Sequence, residues 1–96
     1  MNHREKTKKI NICGIEYTVN YIEPNSRVDN FMGRSDPQKA LITINSTMAE
    51  DVQKQTLIHE WLHAVLMNYS LSENDNEILV QTIASELFRN GFEIIN

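Results

Sequence analysis

A single cysteine, Cys13, in 96 residues excludes an intramolecular disulfide and any zinc cluster built on cysteine thiolates. The fold must rest on a hydrophobic core, which a chain of this length is able to bury. A reducing, cytoplasmic setting is the expectation. No apolar run approaches the roughly 20 residues needed to span a bilayer. The basic residues Arg4, Lys6, Lys8 and Lys9 lead into Ile-Asn-Ile-Cys-Gly, which is not the apolar core of a secretory signal. An excess of positive charge is also missing. The formal net charge is -4, so the chain has no general electrostatic attraction to nucleic acid. Neither nucleic acid nor membrane is an expected partner. Internal repeats, linkers and low-complexity stretches are absent, and the length allows one domain. Residues 1–8 read as a flexible basic tail and 9–96 as a single domain.

Glycine and proline are scarce, three and two residues, and they fall at the boundaries between patterned segments. From Lys9 to Ile22 apolar and polar residues alternate. Ile10 and Ile12 hold even positions, whereas Ile15, Tyr17, Val19 and Tyr21 hold odd ones. That switch of parity across Cys13-Gly14 predicts a β-hairpin reversing at Gly14. Tyr17 and Tyr21 read as core aromatics with wet hydroxyls. Glu23 to Gln38 contains Pro24, Gly33 and Ser35-Asp36-Pro37, and reads as a long irregular loop. Ala40 to Ile44 predicts a short strand, inside the sheet or beside a cleft.

A helix is predicted from about Thr47, where Thr47 and Glu50 have the spacing of a capping box, to about Asn68. Ser70-Leu71-Ser72 breaks it. A second helix starting between Glu73 and Asn76 carries an apolar stripe of Leu79, Ile83 and Leu87 with Val80 and Ala84, and stops at Asn90-Gly91. Phe92, Ile94 and Ile95 are expected to return to the core. A short connection makes the two helices antiparallel.

The first helix carries His59-Glu60-Trp61-Leu62-His63. Side chains four apart on a helix lie on one face. His59 and His63 can therefore offer two imidazoles to one metal ion, with Glu60 placed to reach a water on that metal. The bland alternative, two buried histidines without metal, requires a separate polar partner for each ring.

Two histidines leave a zinc ion short of a third protein ligand. A third histidine six residues after His63 is excluded, because that position holds Tyr69, and His3 lies in the tail. A carboxylate from the second helix remains. Glu77 shares a side with Val80 and Ala84, Glu86 is rotated to the opposite face, Asp75 points elsewhere and Glu73 precedes the helix. Glu77 is the expected ligand. A straight antiparallel pair sets it about a turn away from the level of the histidines, so the helices must cross at an angle or Glu77 must reach.

Thr56-Leu57-Ile58-His59-Glu60-Trp61-Leu62-His63-Ala64-Val65, followed by Glu77-x-x-Val80-x-x-Ile83-Ala84, resembles the small gluzincin-like zinc metallopeptidases. These include the ImmA/IrrE-type proteins and minimal members encoded in phages and prophages. The hairpin with Gly14 and the Ile42-x-Ile44 strand are similar to the phage-type members. The resemblance runs from about Lys9 and does not extend to the DNA-binding or regulatory domain of larger relatives. It implies an α+β, zincin-like fold: a small, partly antiparallel β-sheet packed on two antiparallel helices. It also implies Zn²⁺ held by His59, His63 and Glu77, with Glu60 as catalytic base.

The expected function is hydrolysis of a peptide or protein substrate. An extended substrate is expected at an exposed strand edge near Ile42, and Tyr69, Tyr17, Tyr21 and Arg34 are candidate donors to the oxyanion. The alternative is a catalytically silent, zinc-stabilised module that binds a partner protein.

Overall fold

The computed structural model describes residues 6–24 and 31–94. It is an α+β arrangement: strands β1 (Lys6–Ile12), β2 (Ile15–Ile22), β3 (Gly33–Asp36) and β4 (Leu41–Asn45), then helices α1 (Glu50–Asn68) and α2 (Glu77–Arg89), with a 3-10 turn over Ser72–Asp75 between the helices. The sheet is mixed, in the order β1-β2-β4-β3. β1 runs antiparallel to β2, β2 parallel to β4, and β4 antiparallel to β3.

The parity switch resolves as a two-residue hairpin. Ile12 pairs with Ile15, and Cys13 and Gly14 both take positive φ, 53° and 85°. Such a turn matches the twist of the strands it joins, and the Asn11 carboxamide oxygen accepts the Gly14 N–H at 2.9 Å. The hairpin starts at Lys6, three residues before the expected position, so Lys6 and Lys8 belong to a strand and not to a tail. Residues 1–5, the remainder of the expected tail, lie outside the described residues.

Residues directly opposite each other on neighbouring strands share a face. The register sets Ile10 against Tyr17, Val19 against Ile42 and Tyr21 against Ile44. Ile10, Ile12, Tyr17, Val19, Ile42 and Ile44 thus form one buried face, closed by Leu57 and Ala64 of α1. Tyr17 is fully buried and its hydroxyl accepts from the Asn68 Nδ2 at 3.1 Å, which corrects the expectation of a wet hydroxyl.

The segment read as a loop contains β3, and residues 25–30 of it lie outside the described residues. β4 is flanked by β2 and β3. The expectation of an exposed edge near Ile42 is therefore wrong, because both sides of β4 are already hydrogen-bonded. Among the described residues, the outer strands of the sheet are β1 and β3.

The predicted capping box does not form. α1 starts at Glu50 after Ala49, and Thr47 Oγ1 donates instead to Asn45 Oδ1 at 2.6 Å. Asn45 captures Thr47 because it is itself buried and tied to the Phe31 carbonyl at 2.9 Å. At the far end Ser70 takes φ 57°, and the Leu71 N–H reaches the Leu66 carbonyl at 2.9 Å. These bonds close the helix as a glycine normally would.

Asn76 caps α2 by accepting the Leu79 N–H at 3.0 Å. Gly91, at φ 83°, ends it, and Phe92 turns back onto Trp61 with ring centroids 5.3 Å apart. Ile94 packs against the core, while Ile95 lies outside the described residues. Val80 and Ala84 are fully buried, but Ile83 is 38% exposed, so the buried stripe of α2 is narrower than its apolar pattern. Among the described residues, no helix is long and apolar enough to cross a membrane.

Candidate metal centre

Three faces of α1 do three different jobs. Leu57 and Ala64 close the core, and Thr56 and Glu60 turn toward β3, where Gly33 lies against both. His59 and His63 turn toward α2. The contacts between the helices run in opposite senses: Gln55 bonds Ser85, His59 meets Gln81 and Glu77, and His63 meets Glu77 and Asn74. The helices are antiparallel, as expected.

His59, His63 and Glu77 come together, each offering one ligand atom within 4.8 Å of the others. Glu77 Oε1 is 3.1 Å from His59 Nε2, and Oε2 is 3.0 Å from His63 Nε2. Glu77 thus bridges both rings from the first turn of α2, and the one-turn offset does not prevent it. Ligand atoms arranged tetrahedrally at roughly 2.0–2.1 Å from zinc stand about 3.3 Å apart. The two Glu77–imidazole distances lie within a few tenths of an ångström of that value.

Hydrogen bonds on the far side of each ring fix its chemistry. His59 Nδ1 is 2.7 Å from Gln81 Oε1, and His63 Nδ1 is 3.2 Å from Asn74 Oδ1. Asn74 Nδ2 donates to the Asp75 carboxylate at 3.1 Å, and Gln81 Nε2 donates to Ser85 Oγ at 3.0 Å. The Asp75 carboxylate thus turns the Asn74 oxygen toward His63, and Gln81 Oε1 faces His59. An amide oxygen only accepts, so these contacts favour the tautomer with the proton on each Nδ1. In the neutral ring Nε2 is then a bare lone pair.

Two imidazoles and a carboxylate facing one another at 3.0–3.1 Å could hold a cation between them. A divalent metal satisfies all three groups at once. The donor set of two nitrogens and one oxygen fits zinc.

Glu60 stands outside the triad. It is 8% exposed and lines the same cleft, about 480 Å³, as His59, Glu77, Gln81, Gly33 and Met32. No family model, curated protein or solved structure matches this chain.

The other acidic candidates are elsewhere. Glu86 is paired with Arg89 at 3.7 Å, and Asp75 accepts from Asn74. His3 lies outside the described residues. Among the four suggested oxyanion donors, Tyr17 is buried in the core and Tyr21 lines a different cleft, beside Lys6 and Phe92. Burial raises the Tyr21 pKa above its ordinary value. Tyr69 and Arg34 are not among the residues lining the cleft beside Glu60.

Sequence reasoning passed over Gln81, Asn74, Ser35 and Gly33. Gln81 had a findable signal, because it sits four residues after Glu77 and so shares its face. Asn74 reads as an ordinary residue of a helix break. Ser35 and Gly33 fell in a segment that reads as a loop.

Proposed function

We propose that this chain is a zinc-dependent peptide hydrolase of the small gluzincin-like, ImmA/IrrE-like type. One observation carries the reading: both Nε2 atoms face a single carboxylate while both Nδ1 atoms are engaged by amide oxygens. His59, His63 and Glu77 hold the ion. Zinc bound there would supply a Lewis acid. Glu60 contributes proton transfer. Its carboxylate accepts a proton from the attacking water and returns it to the amine released when the peptide C–N bond breaks. The substrate is a peptide or protein segment, and the setting is cytoplasmic.

A second reading has its own support. None of Tyr17, Tyr21, Tyr69 and Arg34 lines the metal cleft, which favours a zinc-stabilised module that binds a partner without cleaving it. The intact, buried Glu60 favours hydrolysis, because a structural zinc site has no use for a base.

Glu60→Gln separates the two. We expect this variant to keep its zinc and its fold while hydrolysis of dye-labelled casein falls by roughly 10²–10⁴-fold. Wild-type protein with one zinc bound and no hydrolysis would support the binding module. Loss of zinc in Glu60→Gln would refute the assignment of Glu60 as base.

A further inference from the structure

β3 is only four residues long and forms one edge of the sheet. Its register sets Gly33 against Ile44 and Ser35 against Ile42, both buried. Gly33 and Ser35 therefore face α1. A Cβ on Gly33 would stand 2.6 Å from Thr56 Cγ2 and 3.1 Å from Glu60 Cγ, so the strand lies directly against the side chain of Glu60. Two residues on, Ser35 Oγ is 2.7 Å from Glu60 Oε1 and 2.8 Å from the Glu60 backbone carbonyl. A hydroxyl has one proton. The charged oxygen is the stronger acceptor and the nearer one.

We propose that Ser35 is the positioning residue for Glu60, holding Oε1 so that Oε2 is the oxygen that exchanges protons. This rests on the hydrolase reading above. Backed by Gly33 at Cγ and tethered by Ser35 at Oε1, the carboxylate has lost most of its freedom to rotate. A glutamate without these contacts would sample several rotamers, only one of them productive, and proton transfer depends on reach. Ser35 touches neither His59, His63 nor Glu77 in any hydrogen bond among the described residues. Its loss should leave the metal in place.

The test compares zinc-loaded wild type, Ser35→Ala and Ser35→Thr, with Glu60→Gln alongside. Three readouts apply: zinc affinity, crystal structures of the zinc-loaded forms, and steady-state cleavage of dye-labelled casein. In Ser35→Ala we expect unchanged zinc affinity and a Glu60 carboxylate spread over more than one rotamer. We also expect a roughly ten- to hundredfold lower kcat, the weight of a hydrogen bond to a charged group, with KM little changed. Ser35→Thr keeps a hydroxyl and should restore a single Glu60 rotamer and most of kcat. A Glu60 that stays in one place in Ser35→Ala overturns the proposal, whether or not casein is cleaved. Loss of activity in Glu60→Gln with none in Ser35→Ala overturns it while sparing the hydrolase reading. No cleavage by wild type overturns the hydrolase reading, and the rotamer comparison still decides the role of Ser35.

Discussion

Removing the oxygen behind His59 probes the proposed metal centre without touching a proposed ligand. In Gln81→Leu the His59 Nδ1–H loses its 2.7 Å acceptor, and with it the bond that fixes tautomer and ring orientation. Outer partners of this kind are worth roughly 10–100-fold in metal affinity. Gln81 is exposed, so water can take over part of its role, and the loss belongs at the low end, about tenfold or about 1.4 kcal/mol. Asn74→Ala removes the longer, 3.2 Å bond to His63 and should cost less, about threefold. Gln81→Glu puts a carboxylate in the same place, raises the basicity of the imidazole and should bind zinc at least as tightly as wild type. The assay is competition for Zn²⁺ against a chromophoric chelator at pH 7. Wild-type affinity in Gln81→Leu, or weaker binding in Gln81→Glu than in Gln81→Leu, would refute the second-sphere argument.

Three further outcomes are expected. Gly33→Ala drives a methyl into Thr56 and Glu60, and denaturant unfolding should show a loss of about 1–3 kcal/mol. Asn76→Ala removes the cap on α2 and should lower stability by about 1 kcal/mol in the same assay. Burial raises the Tyr21 pKa above that of the unfolded chain, so its contribution to stability is complete below the ordinary tyrosine pKa and is lost as pH rises through the folded value. Ultraviolet titration should show Tyr21 ionising above the ordinary tyrosine value, and Tyr21→Phe should abolish that step and flatten the alkaline decline in stability.

The elements that follow from period alone were legible. Ile10 to Tyr21 alternate because one face of a ribbon is buried, and the structure buries Ile10, Ile12, Tyr17 and Val19 of that face, while Ile15 beside the turn is 45% exposed. His59, His63 and Glu77 were legible because helical geometry converts spacing into a shared side, and the structure brings all three together. Contacts between segments distant in sequence were not. Thr47 left its capping box because Asn45, anchored by Phe31, competed for its hydroxyl. β3 has no apolar alternation to announce it: Gly33-Arg34-Ser35-Asp36 reads as a turn, and it is a strand only because β4 supplies the partner. Its small residues are explained by α1 pressing on them, a fact carried by residues some 25 positions away.

Anomalous diffraction at the zinc edge from crystals grown with Zn²⁺ tests the central claim most directly. The account predicts one peak between α1 and α2, roughly 2.0–2.2 Å from His59 Nε2, His63 Nε2 and a Glu77 oxygen. Gln81 and Asn74 should still hold the two Nδ1 atoms, and Glu60 should lie in the cleft without coordinating. Zinc bound elsewhere, ligation through Nδ1, or Glu77 turned away from the ion would contradict it.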